Sequence, residues 1–246
     1  LFTTAAQKIA GKEQLNQLKL TTPTPFYLQS FLSRAIRQGC THLVLEVSSH
    51  ALLQHRIWGV PFHVVVFTNL SPDHREIHSS DSEYQDVHFR LFSAATRSAI
   101  INGDDVHLAS LAEKTPGSKT IFKKTDPLSQ ELVEFGIPLL GAFNLENVVA
   151  AYHGCRALGI THEKLIRGIP SLKSAPGRME NLSLGQSFGL IVDYAHSPVS
   201  LENFFKALPQ TPGKRIVVCC ACGDRDPAVR PDMGRILDVH ADILVI

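Results

Sequence analysis

The sequence predicts an α/β fold: a mostly parallel sheet with flanking helices, followed by a second, partial Rossmann-like unit. Three observations carry that prediction. Short apolar runs alternate with stretches of helical periodicity, as in strand–crossover–strand units. Nearly every run ends in polar residues, where open parallel sheets hold their ligands. The pattern also breaks once, at Ser174-Ala175-Pro176-Gly177, and restarts beyond it.

Taken in order, the expected strands are residues 42–47, 63–68, 98–102, 190–193, 215–220 and 242–246. Between the early strands, Leu28, Phe31, Leu32, Ala35 and Ile36 mark one face of a helix that closes at Gly39, where glycine adopts the left-handed cap. A second helix is expected over 145–158, with Val148, Val149, Tyr152 and Cys155 on its apolar side and Gly159 past its end. Leu201, Phe204, Phe205 and Leu208 form a third stripe, stopped by Pro209. Residues 114–138 are less periodic and are expected to form a hairpin or excursion. The break after the amphipathic segment 163–169 divides the chain into 1–175 and 176–246.

The composition excludes several classes. With 246 residues, 44% hydrophobic, the chain is long enough for a well-buried core. Its 24 basic and 23 acidic residues give a formal charge of +1, which offers no bulk attraction to nucleic acid or an anionic membrane. No apolar run approaches the roughly 20 residues a membrane span requires, and the start lacks the layout of a signal peptide. A cytoplasmic protein is expected. The five cysteines, three of them crowded at Cys219, Cys220 and Cys222, read as reduced thiols. The last residues form an apolar strand with nothing after it to cover it, so truncation at both ends is expected.

The polar strand ends hold the chemistry. They read Glu46-Val47-Ser48-Ser49-His50, Thr68-Asn69 leading to Asp73-His74, Asp193-Tyr194-Ala195-His196 and Gly223-Asp224-Arg225-Asp226. Taken singly, each is as well explained by caps and turns. Together, their carboxylates, imidazoles and guanidinium groups indicate a site for phosphates and a metal. Of the 12 histidines, His74 is singled out because its loop can bring imidazole and carboxylate to a hard cation. No zinc motif and no Gly-x-x-x-x-Gly-Lys-Ser/Thr phosphate loop is present in the sequence.

Seven segments, in order, resemble the Mur ligases: Thr21-Thr22-Pro23, the run from Glu46 to Leu52, the run from Phe67 to His74, Gly141-Ala142-Phe143-Asn144, the run from Pro176 to Glu180, the run from Val192 to His196, and Gly223-Asp224-Arg225-Asp226. The resemblance implies that 1–175 is the central ATPase domain without its phosphate loop, and that 176–246 begins the C-terminal domain. It implies an ATP- and Mg2+-dependent ligase of peptidoglycan precursor synthesis, active in cell wall biogenesis, cell shape and division. That ligase adds meso-diaminopimelate or L-lysine to UDP-N-acetylmuramoyl-L-alanyl-D-glutamate (UDP-muramyl dipeptide) through an acyl phosphate. A monomer without nucleic-acid or membrane partners is expected.

Carried over by motif, the resemblance assigns Thr21, Thr22, Ser48, Gln54 and Arg56 to the UDP-muramyl dipeptide and Arg225 to the incoming amino acid. It assigns Asn144, Arg178 and Asp193 to ATP, and Glu46 and His74 to magnesium. His88 stands where the family has a carbamylated lysine, and an imidazole cannot form that carbamate. Cys220-Ala221-Cys222-Gly223 replaces the family's Gly-Cys-Gly-Gly, and Val229 replaces a lysine. Without the phosphate loop, the chain alone is expected to turn over negligibly. The acceptor-recognition segment lies beyond residue 246, so the diamino acid is left open. Two alternatives stand beside this reading: a folylpolyglutamate synthase-like ligase, and a degenerate binding protein without catalysis.

Overall fold

A computed structural model describes residues 1–18, 20–70, 86–91, 95–114, 117–210, 212–220 and 227–246. The chain opens with an antiparallel hairpin, β1 (Ala6–Ile9) and β2 (Lys12–Leu15), in which Ile9 pairs with Lys12. The two-residue turn has φ of +47° at Ala10 and +82° at Gly11, the left-handed pair that matches the natural twist of a hairpin. The helix α1 (Pro25–Arg37) starts on a proline and buries Leu28, Phe31 and Ala35. Its Phe31 ring meets the fully buried Phe2 edge-on at 5.3 Å, which fastens the hairpin's base to the helix.

The central sheet is parallel. The short helix α2 (Ser49–Leu53) precedes β3 (Phe62–Phe67), helical residues 86–91 (α3) precede β4 (Ala95–Asn102), and α4 (Val106–Lys114) leads to β5 (Lys119–Phe122). The strand order is β3-β4-β5. Alternation along the second half of β4 buries residues on both faces: Ala99 and Ile101 pack with Leu52, Val87, Leu91 and Leu108 on one side. Ile100 packs on the other, against α5 (Pro127–Glu134), α6 (Ala142–Ala157) and α7 (His162–Gly168), through Leu132, Val148, Val149 and Ile166.

Beyond this sheet, β6 (Glu180–Asn181) and β7 (Ile191–Val192) pair antiparallel. The last unit is β8 (Ile216–Val218) parallel to β9 (Ile243–Val245), with α8 (Pro198–Ala207) and α9 (Arg230–His240) packed over it through Leu201, Phe205, Met233 and Leu237. Ser197 and Ser200 form a reciprocal capping box at the start of α8. Among the described residues no helix is long and apolar enough to cross a membrane.

The structure corrects three expected elements. Residues 42–47 do not form a strand: only Leu45 bridges to Phe2, because Phe2 takes up the Val44 carbonyl and the Glu46 amide and the chain then turns into the hairpin. Among the described residues of 114–138 there is no hairpin but a third parallel strand, β5, followed by α5. Residues 190–193 are reduced to the two residues of β7, outside the parallel sheet.

A polar–aromatic cluster ties the helices together. Glu131 on α5 lies 3.2 Å from His162 Nε2, and His162 Nδ1 lies 2.8 Å from the Tyr152 hydroxyl of α6. Beside it, His153 stacks on Phe122 with ring centroids 6.1 Å apart. Burial pushes the His153 imidazole below its ordinary range, against a smaller opposing pull from Asp126. The folded state therefore binds this proton less readily than the unfolded chain, and the contribution is present above the ordinary histidine range of about 6.5 and lost as pH falls below it. Urea midpoints at pH 7.5 and 5.5 are expected to show a smaller acid-induced loss in His153→Phe than in the wild type. An equal loss in both would remove His153 from the account.

Candidate functional site

The candidate site lies where α1, the 42–47 segment and α2 meet the N-terminal hairpin. Thr22 is fully buried, and its hydroxyl donates to the Glu46 carbonyl at 2.9 Å while accepting from the Ser48 amide at 3.2 Å. Those two bonds knit the Thr21-Thr22 segment to the chain leading into α2. Ser48 itself caps α2, its hydroxyl accepting from the Ala51 amide. The blander role foreseen for a serine at a helix start is thus present, whatever else Ser48 touches.

Arg56 is held on two sides. Its Nη1 donates to the Thr22 carbonyl at 2.8 Å, and its Nε and Nη2 both donate to Gln54 Oε1, at 2.9 and 2.7 Å. A guanidinium carries five N–H donors, so one remains on each of Nη1 and Nη2. Gln54 therefore orients the guanidinium, leaving those two N–H groups for a carboxylate or phosphate. Glu46 is fixed in the same way, by a residue far off in sequence. Its Oε2 accepts from the Thr4 amide at 2.7 Å and lies 2.9 Å from the Thr4 hydroxyl, which in turn lies 2.9 Å from the Thr21 hydroxyl. Six residues singled out in the sequence, Thr21, Thr22, Glu46, Ser48, Gln54 and Arg56, thus share one hydrogen-bonded cluster.

The remaining residues fall elsewhere. Arg178 and Asp193 come together across the β6–β7 pair: Asp193 accepts from the Met179 amide at 2.7 Å and the Ala195 amide at 2.8 Å, and the Arg178 guanidinium sits 4.7 Å over the Tyr194 ring. Met179 takes a left-handed φ of +47° while buried, so the Pro176–Glu180 turn is held in a costly conformation. Asn144 opens α6 and bonds within its own turn, to the Leu140 carbonyl and to Asn147. His88 lies partly buried on α3. His74 and Arg225 lie outside the described residues. Among the described residues, no group of three or more His, Cys, Asp or Glu converges to hold a metal ion. Among the described residues, Cys40, Cys155, Cys219 and Cys220 form no disulfide with one another.

Sequence reasoning missed a second polar knot, at the carboxyl ends of β3 and β4. The buried Asn102 donates to the Thr68 carbonyl at 2.8 Å and to Glu146 of α6 at 3.2 Å, and accepts from the Asp104 amide. Asp105 caps α4 through the His107 and Leu108 amides and reaches the Leu70 amide at 2.7 Å. The signal was available: Asn102-Gly103-Asp104-Asp105 is a polar strand end like the four that were noticed. For Thr4 no local pattern points to Glu46, 42 residues away.

Comparison with known proteins bears on the same segments. The Mur ligase middle domain matches residues 1–127, and the Mur ligase glutamate ligase domain matches residues 177–246. The UDP-N-acetylmuramoyl-L-alanyl-D-glutamate–2,6-diaminopimelate ligase of Nostoc sp. (strain PCC 7120) is 38% identical over 253 residues, covering 92% of this chain and 51% of that protein. A solved structure of a ligase of the same name superposes with a TM-score of 0.66 at 28% identity, over 98% of this chain and 55% of the other. MurF ligase from Thermotoga maritima, solved in complex with ADP, shares the fold with a TM-score of 0.60 at 18% identity, over 75% of this chain and 48% of its own. The chain spans about half the length of the curated relatives it matches.

Proposed function

This chain belongs to the Mur ligase family, and on that premise we propose that it serves the ATP-dependent ligation of a diamino acid to UDP-N-acetylmuramoyl-L-alanyl-D-glutamate, through an acyl-phosphate intermediate, in peptidoglycan precursor synthesis. The relatives' names favour 2,6-diaminopimelate over lysine. The observation that carries the reading is the single cluster formed by Thr21, Thr22, Glu46, Ser48, Gln54 and Arg56. Arg56 supplies the cationic fork for an anionic group of the substrate, and the threonines and Ser48 supply the polar wall beside it.

In this reading Glu46 and His74 would hold magnesium; of these, the Glu46 carboxylate is a hard oxygen donor of the type such a cation takes. Bound magnesium would neutralise charge on the transferring phosphoryl group. Asn144, Arg178 and Asp193 would hold ATP, and Arg225 the incoming amino acid. The division into a central domain, 1–175, and the start of a C-terminal domain, 176–246, belongs to the same proposal. So does a cytoplasmic monomer without nucleic-acid or membrane partners, which the near-neutral charge supports.

His88 supports a second reading. An imidazole in place of a carbamylated lysine supplies no negative charge, which favours a protein that binds the substrate without transferring phosphate. Two measurements separate the readings. The only tryptophan, Trp58, is 78% exposed and two residues from Arg56, so its emission reports binding at the cluster. Saturable quenching by UDP-muramyl dipeptide and none by folate is expected; quenching by folate alone would sink the muramyl-peptide reading. In a version joined to a phosphate-loop segment, phosphate release that requires ATP, UDP-muramyl dipeptide and diaminopimelate is expected with native His88. Release only after His88→Lys would mark a decayed ligase, and release in neither version would favour the binding-protein reading.

A further inference from the structure

The hydroxyl protons of the cluster have a forced direction. Thr4 brings two donors, its amide and its hydroxyl, to one oxygen of Glu46, at 2.7 and 2.9 Å. Its hydroxyl is also 2.9 Å from the Thr21 hydroxyl. A hydroxyl has one proton, and a carboxylate only accepts; the charge-assisted bond is the stronger of the two choices. The Thr4 proton therefore goes to Glu46, and the short contact to Thr21 is made with the Thr21 proton pointing at Thr4. The order is Thr21 to Thr4 to Glu46.

Independent contacts hold this order in place. Asn16 Nδ2 donates to the Thr3 carbonyl at 2.8 Å and the Leu20 carbonyl at 2.9 Å, so one amide fixes the residue before Thr4 and the residue before Thr21. Thr22 cannot take over, because its hydroxyl is already committed to the Glu46 carbonyl and the Ser48 amide. We infer that Thr21 meets its ligand only as a hydrogen-bond acceptor, and that Thr4, assigned no part in the site from the sequence, is the positioning residue that fixes this polarity.

The inference deepens the reading of the cluster as the muramyl-dipeptide site and rests on it for the ligand's identity. It divides the labour chemically: Arg56 takes an anion, and Thr21 takes an N–H or O–H, an amide or a sugar hydroxyl. A ligand offering only carboxylates or phosphates would satisfy one half of the cluster.

The test uses the chain itself and Trp58 emission. Thr4→Val removes the relay and frees the Thr21 proton, and the dissociation constant for UDP-muramyl dipeptide is expected to rise about 10-fold, the usual scale of one lost hydrogen bond to a charged network. Thr4→Ser keeps the hydroxyl and is expected to bind within about 2-fold of the wild type, which a merely steric role for the threonine methyl would not predict. Because Thr4 acts through Thr21, the double variant Thr4→Val/Thr21→Val is expected to bind no more weakly than Thr21→Val alone. Additive losses in the double variant, or unchanged affinity in Thr4→Val, overturn the inference. A second measurement needs no ligand: by NMR, the Thr21 hydroxyl proton is expected to be protected from exchange in the wild type and Thr4→Ser but not in Thr4→Val. An unprotected Thr21 proton in the wild type would refute the proton order, whereas failure of the wild type to bind the dipeptide with the proton protected would count only against the functional reading.

Discussion

Arg56→Ala is expected to weaken binding of UDP-muramyl dipeptide by at least about 100-fold, or about 2.7 kcal/mol, the scale of truncating one partner of a held charge pair. The guanidinium is orientated before the ligand arrives, by Gln54 on one edge and the Thr22 carbonyl on another, so little ordering remains to be done on binding. The loss would have a second component. Without Nη1, the carbonyl of the buried Thr22 has no donor from this side chain, and the segment that carries Thr21 loosens. Arg56→Lys keeps the charge but cannot serve both partners and an anion at once, and is expected to fall between the wild type and Arg56→Ala. Gln54→Glu separates orientation from charge. It preserves an oxygen for Nε and Nη2 yet neutralises the guanidinium locally, so it should weaken anion binding more than Gln54→Leu does. Titrations of the four variants by Trp58 emission would show this order; Arg56→Ala with native affinity would exclude the cluster as an anion site.

What was legible in the sequence follows from how local each signal is. The strands at β3, β4, β8 and β9 are apolar runs between helical stretches, and the periodicity that marks them also places them. The cluster around Arg56 was legible through its motifs. Its wiring was not, because it depends on Thr4 meeting Glu46 across 42 residues. The hairpin β1–β2 was invisible for another reason: all four residues of β2 are exposed, so no alternation marks it, and its anchoring comes from Phe2 on the adjoining segment. Residues 42–47 failed in the opposite sense. They have a strand's composition, but composition cannot supply a neighbour, and Phe2 offers only one residue of pairing before the chain turns. The four-residue β5, half of it exposed, was too short to outweigh the polar segments around it.

The site residues divide along a similar line. Asp193 was singled out as a nucleotide contact, and the structure occupies both its oxygens with the backbone amides of Met179 and Ala195, which flank the β6–β7 pair. That bonding does not forbid a ligand, since a carboxylate has about four acceptor positions, but it shows that the residue already has work in the fold. Asn102 is the reverse case: it has no motif value of its own, yet it joins the end of β3, the turn after β4 and the first turns of α6 in one buried knot. A buried side-chain amide with all its partners is costly to disturb, which makes it a determinant of where the strand ends and Asn144's helix stand.

The largest expected stability effect lies at Gly141. Gly141→Ala should cost about 2–4 kcal/mol, from two separable sources. The first is conformational: φ is +91° with ψ of 139°, a region that side chains avoid. The second is packing. An added Cβ would lie 2.7 Å from the Phe143 ring and 2.9 Å from the Ala207 Cβ of α8, and neither a ring edge packed on its own turn nor a helix Cβ yields cheaply. Gly185 gives a comparison without the packing term: its φ is also positive, at +90°, but an added Cβ would meet nothing within 4 Å. Gly185→Ala should therefore lose less, about 1 kcal/mol, from the backbone alone. Urea unfolding of the two variants measures the difference, and equal losses would mean that the approach of α6 to α8 is not close in solution. The position also bears on function. The Asn144 amide donates to the Gly141 carbonyl at 3.0 Å, and Asn144 Nδ2 to the Leu140 carbonyl at 2.6 Å, so relief of the clash displaces the turn on which Asn144 sits. If Asn144 contacts ATP as proposed, Gly141→Ala will lose nucleotide affinity along with stability, whereas Gly185→Ala will lose stability alone.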